Sequence, residues 1–100
     1  LVISIYEILR CYPDSERYNL VSQMHRAAVS IPSNIAEGCG RNSKAVFKNF
    51  LEIALGSSYE LETQILISRK LKFIKEADYE ALANKVSEIQ KMLYKLISTL

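Results

Sequence analysis

The sequence predicts an all-α fold: an antiparallel up-down-up-down four-helix bundle built by residues 1–100 as one domain. Three observations carry this expectation. Two long stretches place apolar residues at alternating steps of three and four, which aligns them on one helix face. The chain is 49% hydrophobic with only three Gly and two Pro in 100 residues, a globular, helix-rich composition. No run alternates in the manner of a strand, and no repeat of solenoid period occurs.

The first helix runs to about Cys11 and stops before Tyr12-Pro13-Asp14. Pro13 disfavours helical geometry at Tyr12 and lacks the N–H that would continue the ladder. The second helix is expected from Leu20 to about Glu37, with the Asn19 side chain capping its first turn. Pro32 lies inside it and removes a hydrogen bond to the carbonyl of Ala28, so a kink is expected there. Gly38-Cys39-Gly40-Arg41-Asn42 is the clearest loop, with Gly38 suited to the left-handed residue that closes a helix.

Ser43 caps a third helix expected to reach about Leu71, roughly 40 Å at about 1.5 Å per residue. Phe47, Leu51, Ala54, Ser58, Leu61 and Ile65 form its seam. Ala54, Gly56, Ser57 and Ser58 are small, and Gly56 costs roughly 1 kcal/mol in a helix interior, so close packing of a neighbour is expected to account for it. The fourth helix starts near Glu76 and runs to the end, with Leu82, Val86, Ile89, Leu93, Leu96 and Leu100 as its seam. Met92 and Ile97 widen that face toward a bundle or subunit contact. Short connections make consecutive helices antiparallel. The first helix is much shorter than the third, which points to further residues before Leu1.

The formal net charge is +2, from 13 Lys and Arg against 11 Asp and Glu, with a pI near 8.6. That permits a nucleic-acid partner without the dense basic stripe of a dedicated binder. Cys11 and Cys39 lack zinc or redox spacing and suit a reducing cytoplasm as buried thiols. No apolar run is long enough for a transmembrane helix, and no membrane partner is expected. A small domain of this size gains from packing against copies of itself.

Catalytic, metal and cofactor constellations are not legible. His25 is the only histidine and is expected to serve a helix surface or an interhelical contact. Glu52, Glu60 and Glu62 lack the Glu-x-x-His motif of a di-metal bundle. Glu37 follows the apolar stretch Ile31 to Ala36 and is expected to be buried and paired with Arg41 or Arg26. Gly38-x-Gly40 is too little for a phosphate loop. Arg69, Lys70, Lys72 and Lys75 cluster where the third helix ends and complement its dipole. Arg41, Lys44 and Lys48 gather at a helix N-terminus, where cations are disfavoured, and require another reason such as phosphate contact.

The run SQMHRAAVSIPSNIAEGCGR, then FLEIALGSSYELETQ and ISRKLKFI, closely resembles the bacterial four-helix-bundle family that includes proteins encoded in 23S rRNA intervening sequences. The resemblance covers nearly the whole chain. It implies an antiparallel bundle assembling as a homopentameric ring. It also implies kinship with a protein that accompanies diversity-generating reverse transcriptases, whose basic ring engages nucleic acid and the polymerase. Two positions depart from the family. His25-Arg26 stands where a pair of arginines is frequent, which reduces basic charge at neutral pH, and Lys72 stands where glycine is frequent.

The expected function is a non-enzymatic, homo-oligomeric module that binds RNA or a ribonucleoprotein through Arg26, Arg41, Lys44 and Lys48, without cofactor or metal. The alternative is a structural adaptor for a protein partner with no nucleic-acid role.

Overall fold

The computed structural model describes all 100 residues, Leu1–Leu100. Four α-helices form: α1 (Val2–Leu9), α2 (Leu20–Cys39), α3 (Lys44–Lys70) and α4 (Glu76–Ser98), with one 3-10 turn at Asp14–Glu16. After Leu9 the chain tightens into i to i+3 bonds from Cys11 to Ile8 (3.1 Å) and Tyr12 to Leu9 (3.1 Å). Pro13, extended at φ −57° and ψ 142°, then breaks the ladder and leads into the 3-10 turn.

Pairs across α2 and α3 run in opposite order: Met24 meets Ser68, Ser30 meets Ser57, and Gly38 meets Phe47. These two helices are therefore antiparallel and pack most extensively. α3 packs on α4, and α1 touches both α2 and α4, while the backbones of α2 and α4 do not approach closely. That cyclic order is the four-cornered arrangement of a bundle, and it fits the up-down-up-down path. The molecule measures 43 × 23 × 18 Å, its long axis close to the length of α3.

The core follows the sequence seams. Leu51, Ala54, Ser58, Leu61 and Ile65 of α3 are buried, as are Leu82, Val86 and Leu93 of α4. Ile5, Leu9 and Tyr12 close the third wall and Met24, Ala27, Ala28 and Ile31 the fourth. The α4 seam loosens toward its end, where Leu96 and Leu100 are each 39% exposed.

Several local expectations are corrected. α2 runs to Cys39, beyond the expected Glu37, so Gly38 lies inside the helix and no glycine has positive φ. Gly38 is there for space: a Cβ would sit 2.8 Å from Phe47 Cδ1 and 2.9 Å from Phe50 Cβ. Gly56, expected at a close helix contact, lies on the exposed face of α3, and a Cβ added there would meet nothing within 4 Å. The Asn19 side chain does not cap α2 and instead donates to the Ser15 carbonyl at 3.5 Å. Cys11 and Cys39 are exposed, not buried. α3 ends at Lys70, and Lys72 takes the left-handed conformation (φ 63°) itself. Its N–H bonds the Arg69 carbonyl (3.0 Å) and that of Phe73 the Ser68 carbonyl (3.0 Å), the paired closure of a Schellman motif. Ser43 caps α3 as expected, accepting from Val46 N at 3.3 Å.

Candidate functional site

The four basic residues singled out by sequence do not form one patch. Lys44 and Lys48 are exposed in the opening turns of α3, where no acidic residue offsets them. Arg41 lies beside them but is engaged: its guanidinium pairs with Glu37 and sits 5.4 Å from the centre of the Phe50 ring. Glu37 is therefore exposed and paired within one helical turn, not buried. Arg26 lies 13 residues before the end of α2, about 20 Å along its axis at roughly 1.5 Å per residue, and faces a different part of the surface. Arg26 and Glu37 share a helix face but are separated by three turns, too far to pair.

The second basic group has a structural role at Arg69, which donates twice to Glu76 (2.7 and 3.1 Å) and lies 4.5 Å from the Tyr79 ring centre. The Glu76 carboxylate raises the Arg69 pKa further above its ordinary value. This ties the end of α3 to the start of α4 across the Lys72 turn.

Around Arg26 the structure assembles groups that sequence alone did not connect. His25 stacks on Tyr6 of α1, ring centres 4.2 Å apart and planes 22° from parallel. That stack forms the wall between two crevices. One, about 330 Å³, is bounded by Arg10, Asp14 and Arg17. The other, about 580 Å³, is bounded by Arg26, Ser30, Ser57 and Glu60. The floor of this second crevice is fixed by a Ser30–Ser57 hydroxyl contact of 2.8 Å and by Asn34, which donates to both the Ser30 carbonyl and hydroxyl (2.8 and 2.9 Å). The molecule's ion pairs are Arg41–Glu37 and Arg69–Glu76, so Arg10, Arg17 and Arg26 are free to meet an anion. Tyr6 and Arg10 are one turn apart on α1, which sequence spacing does show, but their meeting with His25 depends on how α1 lies on α2.

A buried polar set lies below this surface. Tyr12 is 6% exposed, and its ring tilts against Phe73 at 5.7 Å. Burial pushes its phenol pKa up, with the nearby Ser68 hydroxyl opposing part of the rise. Ser68 donates to the Gln64 carbonyl at 2.8 Å, and Tyr12 Oη and Gln64 Oε1 are buried without hydrogen-bond partners. On the opposite side an apolar groove of about 390 Å³ opens between α1, α2 and α4, with Ile31, Ile35, Ile89, Met92 and Leu96 along it.

No three His, Cys, Asp or Glu side chains converge as metal ligands, and no helix is long and apolar enough to cross a membrane. Fold and surface thus define a small helical bundle with arginine-lined crevices and an apolar groove between α1, α2 and α4. The chain belongs to the 23S rRNA-intervening sequence protein family, whose model matches residues 1–95. It is similar in structure to a protein of unknown function from the S23 ribosomal protein family of Bacteroides thetaiotaomicron VPI-5482, with TM-score 0.89 and 28% identity. That match covers 97% of this chain and 88% of the other. No curated protein matches the chain.

Proposed function

We propose that this chain is a non-enzymatic module that self-assembles in the cytoplasm and binds RNA or a ribonucleoprotein through its basic surface. The observation that carries this reading is the state of its cations: of 13 Lys and Arg residues, only Arg41 and Arg69 are held in ion pairs. Arg26, Lys44 and Lys48 stand among the rest as candidate phosphate contacts. Membership of a family named for an rRNA intervening sequence supports the choice of RNA. Self-assembly, with a five-membered ring as the form the family resemblance implies, is supported by Met92 at 70% and Ile53 at 52% exposure, apolar area that a second copy can cover. Assembly multiplies a modest charge per subunit into a stronger field.

Light scattering on the native protein, with and without RNA at low salt, tests both parts. A multiple of the chain mass that gains RNA, and releases it as salt rises, is the expected outcome. A monomer defeats the assembly part, and an RNA-indifferent assembly defeats the binding part. The apolar groove between α1, α2 and α4 favours a second reading, an adaptor for a protein partner, which an RNA-indifferent assembly would select.

A further inference from the structure

We propose that the Tyr6–His25 stack, with Arg10 and Arg17 on one side and Arg26 on the other, seats an unpaired base of single-stranded RNA and its flanking phosphates. This rests on the RNA-binding reading above and names the form of RNA and the residues that take it. Two features separate a single-strand site from a duplex site. Duplex RNA is read by shape, through contacts spread across the shallow minor groove, whereas single strands are taken by stacking splayed bases on aromatic rings beside cations. Here an aromatic pair already lies near parallel at 4.2 Å and Tyr6 is 43% exposed, so a planar base has a ring on which to extend the stack. The flanking crevices, about 330 and 580 Å³, match the size of a small-ligand site rather than a helix.

The charges around the stack fit the same ligand. Arg10, Arg17 and Arg26 line the two crevices without ion-pair partners, so a strand crossing the stack meets a guanidinium on either side. Asp14 and Glu60 also line them. A phosphate avoids these carboxylates, while a base amino group or a ribose hydroxyl can donate to them. The Ser30 and Ser57 hydroxyls offer further partners for a ribose 2′-OH, the group that separates RNA from DNA. The cations at the α2–α3 turn lack this combination: Lys44 and Lys48 stand without a free aromatic plane, and the Phe50 face is occupied by Arg41.

The test is fluorescence anisotropy on the full chain with a ten-nucleotide mixed-sequence single-stranded RNA and a hairpin duplex of equal charge, across a salt series. The single strand is expected to bind roughly tenfold more tightly. Tyr6→Leu is expected to lose roughly tenfold in single-strand affinity, the usual weight of one stacked base, with its salt slope unchanged. Tyr6→Phe keeps the stacking face and is expected to retain affinity. Arg17→Gln and Arg26→Gln each lower the salt slope by about 0.7. Circular dichroism confirms that the Tyr6 variants keep their helix. Equal binding of strand and duplex, or full affinity in Tyr6→Leu, overturns this inference while leaving RNA binding standing. Absence of any RNA binding by the unaltered chain at low salt overturns the proposed function together with it.

Discussion

Three glycine and tyrosine positions separate space, conformation and polarity as causes. At Gly38, the added methyl of an alanine collides with Phe47 and Phe50, so Gly38→Ala is expected to destabilise by about 1–3 kcal/mol despite its better helix propensity. Gly56 faces open space, and Gly56→Ala is expected to stabilise the single chain by roughly 0.5–1 kcal/mol. Urea unfolding of the pair, in opposite directions, checks both. Tyr12 carries a buried hydroxyl without a partner, so Tyr12→Phe is expected to be close to neutral in stability near pH 7. Its phenol pKa is raised in the fold, and the sign at high pH follows. Above the ordinary phenol value of about 10, the unfolded chain ionises while the folded chain stays protonated. Stability therefore falls as pH rises past that value toward the raised one, by at most about 1.4 kcal/mol per pH unit from this group. Subtracting the Tyr12→Phe profile from that of the unaltered chain isolates this slope, and its absence contradicts the burial account.

Element ends show where side chains and backbone divide the work. The closure of α3 uses Lys72 at φ 63°, a conformation in which a Cβ crowds the backbone. The two bonds to Ser68 and Arg69 and the Arg69–Glu76 pair hold it there. Lys72→Gly is expected to raise stability by about 0.5–1 kcal/mol, with the Schellman bonds intact, as read by thermal unfolding. At the other end of α3, Ser43 accepts from Val46 N, and Ser43→Ala is expected to cost about 1 kcal/mol. The asymmetry is physical: a carbonyl-rich C-terminus accepts backbone N–H groups from the following turn, whereas an N-terminus needs an oxygen supplied by a side chain.

Across the whole molecule, packing is uneven. α2 and α3 share the largest contact, and α1 the smallest with either neighbour. Local opening follows contact density, so the α1 amides are expected to exchange with deuterium before those of α2 and α3. Uniform protection across all four helices would contradict that ranking. The groove along Ile31, Ile35, Ile89 and Met92 lies where α1, α2 and α4 come together. The seam of α4 was legible from spacing alone, yet only Leu82, Val86 and Leu93 are buried. Spacing says which residues share a face, while the packing of neighbouring helices says how much of that face is covered.

The helices, their order and most of the core could be read along the chain, because heptad spacing, Pro13 and the Ser43 cap act within a few residues. The same reading placed Arg26, Arg41, Lys44 and Lys48 as candidate phosphate contacts. Which cations remain free became visible once the helices were packed, since pairing with Glu37 engages Arg41 and leaves Arg26 open. Packing also brought Tyr6 and His25, far apart in the chain, into one stack between Arg10, Arg17 and Arg26. The physical reason is range: periodicity and capping are set by near neighbours, whereas stacking, ion pairing and crevice shape depend on how separate helices are rotated against one another.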